Sequence, residues 1–219
     1  MPSLRHARRI ARCGLAASCL LALGACALPR VTRRPAQTEY RLRTPQLHQP
    51  ADIRVPVMLR VTPVLAAPGL DGVAMLYSAR PLQLMPYRDS RWWVPPAEMI
   101  DAALRRALAR QPWVAAVEGD ASPAPAAWTL SCRLESLEHD VYRRRAALDL
   151  GCQLFDDPAR RLRAAWNFDG VQSLAEQDAA DYAQATQTLL ERAVADALRH
   201  VAATLQQPAP GADAAPGGR

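Results

Sequence analysis

The sequence predicts an α/β fold: one domain in which a mixed, mainly antiparallel sheet packs against two main helices. Three observations carry that expectation. Stretches alternating apolar and polar residues recur through the middle of the chain, as half-buried strands require. Two segments, 94–110 and 178–205, instead place apolar residues at helical spacing. Half of the 219 residues are apolar, enough for a real core, and the length suits one domain once leader and tails are set aside.

Taken in order, "IRVPVMLRVTPVL" (53–65) is Val-rich and loosely alternating, a strand signal. "APGLDG" (67–72) carries turn chemistry, and "VAMLYS" and "LQLMPY" predict two short strands joined around Ala79-Arg80-Pro81. In "VPPAEMIDAALRRALAR", Pro95 and Pro96 suit a first helical turn, and Glu98 and Asp101 favour its positive end. Ile100, Leu104, Ala107 and Leu108 share one face, and the helix stops before Pro112. "WVAAVEG" is a strand and "DASPAPA" a loop.

"AAWTLSCRLESLE" and "AALDLGCQLFD" both alternate, and one hairpin register suits them. Leu130 faces Leu154, Cys132 faces Cys152 and Leu134 faces Leu150, which puts every apolar residue on the same side. Opposed residues lie about 4.5–5.5 Å apart at Cα, within disulfide range. Cys132 and Cys152 are therefore expected to form a cross-strand disulfide, which an oxidising compartment permits, with two buried thiols as the alternative. In both cases their role is structural. "DDPARR" (156–161) is a turn and "LRAAWNFDGVQ" a strand. Ser173 and Glu176 have capping-box spacing ahead of a long amphipathic helix from Asp178 through Leu205.

The amino terminus predicts a compartment. Arg5, Arg8, Arg9 and Arg12 precede an uncharged run, Cys13–Ala25, too short for a bilayer core. A basic start, a short apolar run and small residues before a cut site describe a secretory signal peptide over residues 1–25. The Arg8-Arg9 pair matches twin-arginine export poorly, which leaves general secretion. Leu23-Gly24-Ala25-Cys26 resembles the bacterial lipobox. That resemblance implies that Cys26 is lipidated, becomes the first mature residue and is fixed to a membrane by its acyl chains. Ala27 stands where an aspartate would favour inner-membrane retention, so the expected location is the periplasmic face of the outer membrane. Residues 26–50, with prolines at 29, 35, 45 and 50, are expected to be a flexible tether, in which Tyr40-Arg41-Leu42 can add a short edge strand. The domain is expected over 51–206, and 207–219 as a disordered tail.

Charge and motifs exclude several function classes. Arginine supplies all 27 basic residues and the net charge is +6, but the excess lies at the amino terminus. From Ala51 onward 18 Arg face 20 Asp plus Glu, so the electrostatic term for nucleic acid is missing. His6, His48, His139 and His200 share no zinc-ligand spacing, and neither a nucleophile elbow nor a phosphate-binding glycine loop occurs. The acidic groups Asp156-Asp157 and Glu135/Glu138/Asp140 fall at strand ends and turns, where charges are routine. The expectation is a non-enzyme without cofactor or metal.

"YSARPLQLMPYRDSRWWVPPAEMIDAALRRAL" (77–108) adds a family resemblance. Pro68-Gly69-Leu70-Asp71-Gly72 is followed in order by Tyr77, Pro81, Tyr87, Trp92 and Pro95-Pro96. Together with the lipobox, this order resembles the ABC-type transport auxiliary lipoprotein family, across roughly residues 38–205. The chain carries two tryptophans, Trp92 and Trp93, at the family's Trp position. The resemblance implies a periplasmic α/β domain serving an ATPase, a permease and a mammalian-cell-entry (MCE) protein that moves lipid between membranes. The lipoprotein would dock the MCE protein at the outer membrane, with phospholipid contact and homo-oligomerisation as further options. Met75, Tyr77, Met85, Tyr87 and Trp92 or Trp93 are either core packing or an exposed patch for partner or lipid. Adjacent residues of an extended chain point to opposite sides, so one of the two tryptophans is expected to face outward. The rival readings are a structural or assembly lipoprotein with no transport role, and an anchored hydrolase.

Overall fold

The computed structural model describes residues 36–207. The signal peptide, Cys26 and the tail from 208 onward lie outside the described residues. The elements are β1 (Thr38–Tyr40), β2 (Val57–Val61), β3 (Leu65–Ala66), β4 (Ala74–Arg80), β5 (Gln83–Trp92), α1 (Pro96–Ala109), β6 (Val114–Glu118), β7 (Trp128–Asp140), β8 (Arg145–Asp156), β9 (Arg161–Ser173) and α2 (Ala179–Gln206).

All nine strands form one mixed sheet organised around β7. One edge of β7 takes three parallel strands in succession: Leu59 of β2 pairs with Trp128, Leu65 of β3 with Arg133, and Tyr77 of β4 with His139. β6 extends the sheet beyond β2, and β5 then β1 extend it beyond β4. The other edge carries the antiparallel meander β7–β8–β9, whose long ladders supply most of the paired residues.

The hairpin register is the expected one, with Leu130 on Leu154, Cys132 on Cys152 and Leu134 on Leu150. A bulge between Leu134 and Ser136 then moves the pairing on by one residue, so Leu137 meets Leu148 and His139 meets Ala146. The extra residue keeps Leu137 and His139 on the buried face despite the change of parity. Cys132 and Cys152 form a disulfide, with Cα atoms 4.1 Å apart and both residues buried.

α1 and α2 pack together over the apolar face of the sheet. Leu189, Leu190, Val194, Leu198 and Val201 of α2 are all within 1% of complete burial. Gly170 of β9 lies opposite Leu148; a methyl group there would come within 2.5 Å of the Phe168 ring and 3.0 Å of Leu189. Its missing side chain is what lets α2 lie close to β9. The opposite face, with Arg133, Glu135, Gln153 and Asn167, is open to solvent.

Two local expectations are corrected. The cap of α2 is Asp178, whose carboxylate accepts the Asp181 N–H at 2.8 Å, while the Asp181 carboxylate accepts the Glu176 N–H at 2.8 Å. Ser173 cannot serve, because it is still in the sheet, paired with Arg145. The expected tether also ends earlier than residue 50. Thr38–Tyr40 is an edge strand parallel to β5, and the segment after it is strapped across both helices. Gln187 of α2 holds both the N–H and the C=O of Arg43. Gln111, buried at the end of α1, donates to Leu47 C=O and accepts from Gln49 N–H, and Trp113 Nε1 donates to Gln49 C=O at 2.8 Å. Those side chains satisfy a backbone that has no strand partner.

Candidate functional site

The residues of the Tyr–Pro–Tyr–Trp stretch converge on one aromatic cluster between the sheet and the start of α2. β4 and β5 bring Tyr77 and Tyr87 together with ring centroids 5.0 Å apart. Trp92 packs on Tyr182 of α2 at 5.7 Å, tilted by 60°, and His139 of β7 stacks on Tyr182 at 5.4 Å. Met75, Trp92, His139 and Tyr182 are buried, and Tyr77, Met85 and Tyr87 are half-buried. Of the candidate contact residues, Met75 and Trp92 are therefore core, and Tyr87 packs partly buried against it. Sequence reasoning placed Tyr182 on the apolar face of its helix but did not connect it to this cluster. It also left His139 without a partner, because both contacts run between elements distant in sequence.

The geometry fixes the chemistry of His139. Its Nε2 lies 3.1 Å from Gln177 Oε1, so that nitrogen carries the proton. Nδ1 then accepts from the Tyr87 hydroxyl at 2.6 Å. Burial, helped by the charge of Asp178, pushes the Tyr87 pKa up to about 12, which keeps the hydroxyl a donor. Burial likewise lowers the His139 pKa below its ordinary value, outweighing the Gln177 hydrogen bond and the nearby Asp140, Asp181 and Asp178. A neutral, doubly hydrogen-bonded and enclosed imidazole is a structural group.

That gives a pH signature. The unfolded chain takes up the His139 proton near the ordinary pKa of 6.5, and the folded chain does so only at lower pH. The stabilisation is therefore complete above that value and declines as pH falls from it toward the folded pKa. Asp140 lies outside this window. Burial works to raise its pKa, but hydrogen bonds from Arg143 and Arg145 outweigh it, so its contribution is lost only below 3.8. Urea midpoints should fall between about pH 7.5 and about pH 5, and His139→Gln should flatten that fall. A wild-type midpoint with no such slope would contradict the assignment.

Asp140, Asp156 and Asp157 are engaged in scaffolding. Asp140 pairs with Arg143 and Arg145 at 3.0 and 3.3 Å, and Asp156 with Arg163 at 3.3 Å. Asp157 accepts the Thr129 hydroxyl at 2.7 Å. Among the described residues no cluster of His, Cys, Asp and Glu is arranged to hold a metal ion. No described helix is long and apolar enough to cross a membrane.

Trp93 differs from its neighbour. It is 62% exposed, whereas Trp92 is 1% exposed. Its N–H donates to Tyr40 C=O at 2.7 Å, fixing the backbone at the junction of β1, β5 and α1. Val94, the next residue, lines a surface cleft of about 570 Å³ with Arg41, Arg43, Arg106 and Arg110. Glu98 lines the same cleft, and Trp93 precedes its Val94 on the chain, so an exposed indole and an arginine-rich cleft lie one residue apart in sequence.

These features define first a class: an α/β domain whose mixed sheet is covered on one face by two helices and which offers surface for contact. The same fold occurs in solved structures. A Xanthomonas campestris protein of the DUF330 family is similar at a TM-score of 0.71 and 22% identity, over 78% of this chain and 97% of that one. An uncharacterized protein is similar at a TM-score of 0.61 and 13% identity, over 76% of this chain and 99% of that one. The chain belongs to the ABC-type transport auxiliary lipoprotein component family, whose model matches residues 40–197. Comparison with curated proteins finds no match.

Proposed function

We propose that this chain is a non-catalytic docking module of an ABC-type transport system, lipid-anchored through Cys26 at the periplasmic face of the outer membrane. In this reading it receives the MCE-type protein of a system that moves phospholipid between membranes, and the ATPase and permease act on it only through that protein. The observation that carries the reading is family membership across nearly the whole described domain. The exposed Trp93, one residue before the Val94 of the Arg41/Arg43/Arg106/Arg110 cleft, supplies a surface suited to such a contact. Aromatic and arginine side chains are the residue types that dominate binding energy at interfaces.

The tagged lipoprotein, extracted from membranes in mild detergent, should bring down the MCE protein of its own transport system. Trp93→Ala should weaken that association by about 2 kcal/mol, or roughly thirtyfold, and leave the unfolding midpoint in place. Co-purification unaffected by Trp93→Ala would remove Trp93 from the interface. Absence of the MCE protein from the wild-type eluate would favour a structural lipoprotein with no transport role.

A further inference from the structure

The tip of the β4–β5 hairpin has no place in that docking reading, and its composition is costly. Arg80 pairs with Gln83, leaving Pro81-Leu82 as a two-residue turn. Leu82 has φ 64°, the left-handed region that glycine or asparagine occupies more cheaply, and its side chain is completely exposed. Strain and solvation both disfavour leucine at this position. Leu84 is 52% exposed on the same hairpin, and Tyr142, in the β7–β8 turn, is 70% exposed. Both line a shared recess of about 280 Å³, together with Leu82, Arg80 and Arg143. Three of the large exposed apolar side chains are thus gathered at one end of the sheet, away from Trp93 at the far end of β5.

β1 runs parallel to β5, with Thr38 level with Ser90 and Tyr40 level with Trp92, so Gln37 lies on the hairpin-tip side of Thr38. The Gln37 side chain donates to Arg88 C=O at 3.0 Å. Cys26 precedes Gln37 by only 11 residues, which span at most about 40 Å fully extended. Residues 27–36 contain Arg30, Arg33 and Arg34 and no acidic residue, a sequence that anionic headgroups attract.

We infer that the Pro81-Leu82 tip, with Leu84 and Tyr142, rests in the surface of the phospholipid bilayer that holds the Cys26 anchor, which sets the domain upright with Trp93 turned away from the membrane. The inference rests on the lipoprotein reading of Cys26. The acidic residues at this end do not oppose it strongly: Asp140 is paired with Arg143 and Arg145, and Asp89 lies 3.9 Å from Arg88. Glu138 lines the same recess, where Arg80 and Arg143 offset its charge.

The lipidated mature protein, which begins at Cys26 and so lacks Cys13 and Cys19, allows a direct test: Cys26 is acylated and Cys132–Cys152 is bonded, so Leu82→Cys adds the free thiol that a fluorophore needs. The labelled protein is reconstituted into vesicles of phosphatidylethanolamine and phosphatidylglycerol containing brominated acyl chains, and flotation reads the anchor separately. A label at 82 should lose about half its emission, since interfacial apolar groups sit roughly 5–10 Å into the headgroup boundary. A label at Val55→Cys, exposed near the opposite end of the sheet, should not. A floating protein whose label at 82 stays bright overturns the inference while sparing the anchor. A label at 82 shielded only after the MCE protein is added overturns it in favour of a protein contact. A protein that fails to float overturns the anchor and this inference together.

Discussion

Replacing Trp92 with alanine should cost the domain about 3–5 kcal/mol, the range for deleting a large buried aromatic side chain. The same change at Trp93 should stay within about 0.5 kcal/mol. The two indoles are adjacent in sequence, but the extended backbone sends them to opposite sides. Trp92 is 1% exposed and packs on Tyr182, which in turn stacks on His139. Removing Trp92 opens a cavity between β5 and α2, and the rigid Tyr182 ring packed against it limits its collapse. Trp93 has solvent around most of its ring, so little transfer free energy is at stake. Chemical denaturation of both variants checks the contrast. Equal losses at the two positions would mean that Trp93 is also core and would remove the basis for assigning it to a partner.

Loss of the Cys132–Cys152 bond should destabilise the domain by about 3 kcal/mol, as loop closure across 20 residues implies. For a domain of this size that is roughly 6–12 °C in Tm. The bond staples the central hairpin of the sheet, on the face that α2 covers, with Trp166 paired across from Cys152 on β9. Comparing the oxidised protein with the reduced one and with the Cys132→Ala/Cys152→Ala variant separates the cross-link from the packing of the sulfur atoms. A reduced protein with unchanged Tm would show that the ladder alone holds the register.

Much of this fold was legible because local pattern and tertiary demand agree. The β7–β8 register followed from alternation, since only one pairing places Leu130, Cys132, Leu134, Leu150, Cys152 and Leu154 on one face. α1 lies between Pro96 and Pro112 because proline fixes both limits. What escaped the sequence depends on distant contacts. The strap after Tyr40 has no period of its own, and its order comes from Gln111, Trp113 and Gln187. The capping-box spacing at Ser173 was overridden because the β8–β9 ladder still claims that residue. The bulge near Ser136 left one trace, the change from even to odd apolar positions between Leu134 and Leu137. For the candidate contact residues, the sequence favoured core packing and kept an exposed patch as the alternative. Burial assigns Met75 and Trp92 to the core and leaves Trp93 outside.

The anchor is the point on which docking, orientation and compartment all depend, and intact-mass measurement of the mature chain extracted from membranes tests it most directly. The predicted product begins at Cys26 and carries the added mass of a diacylglyceryl thioether and an amide-linked acyl chain. A mature chain that starts elsewhere, or that carries an unmodified Cys26, would contradict the account.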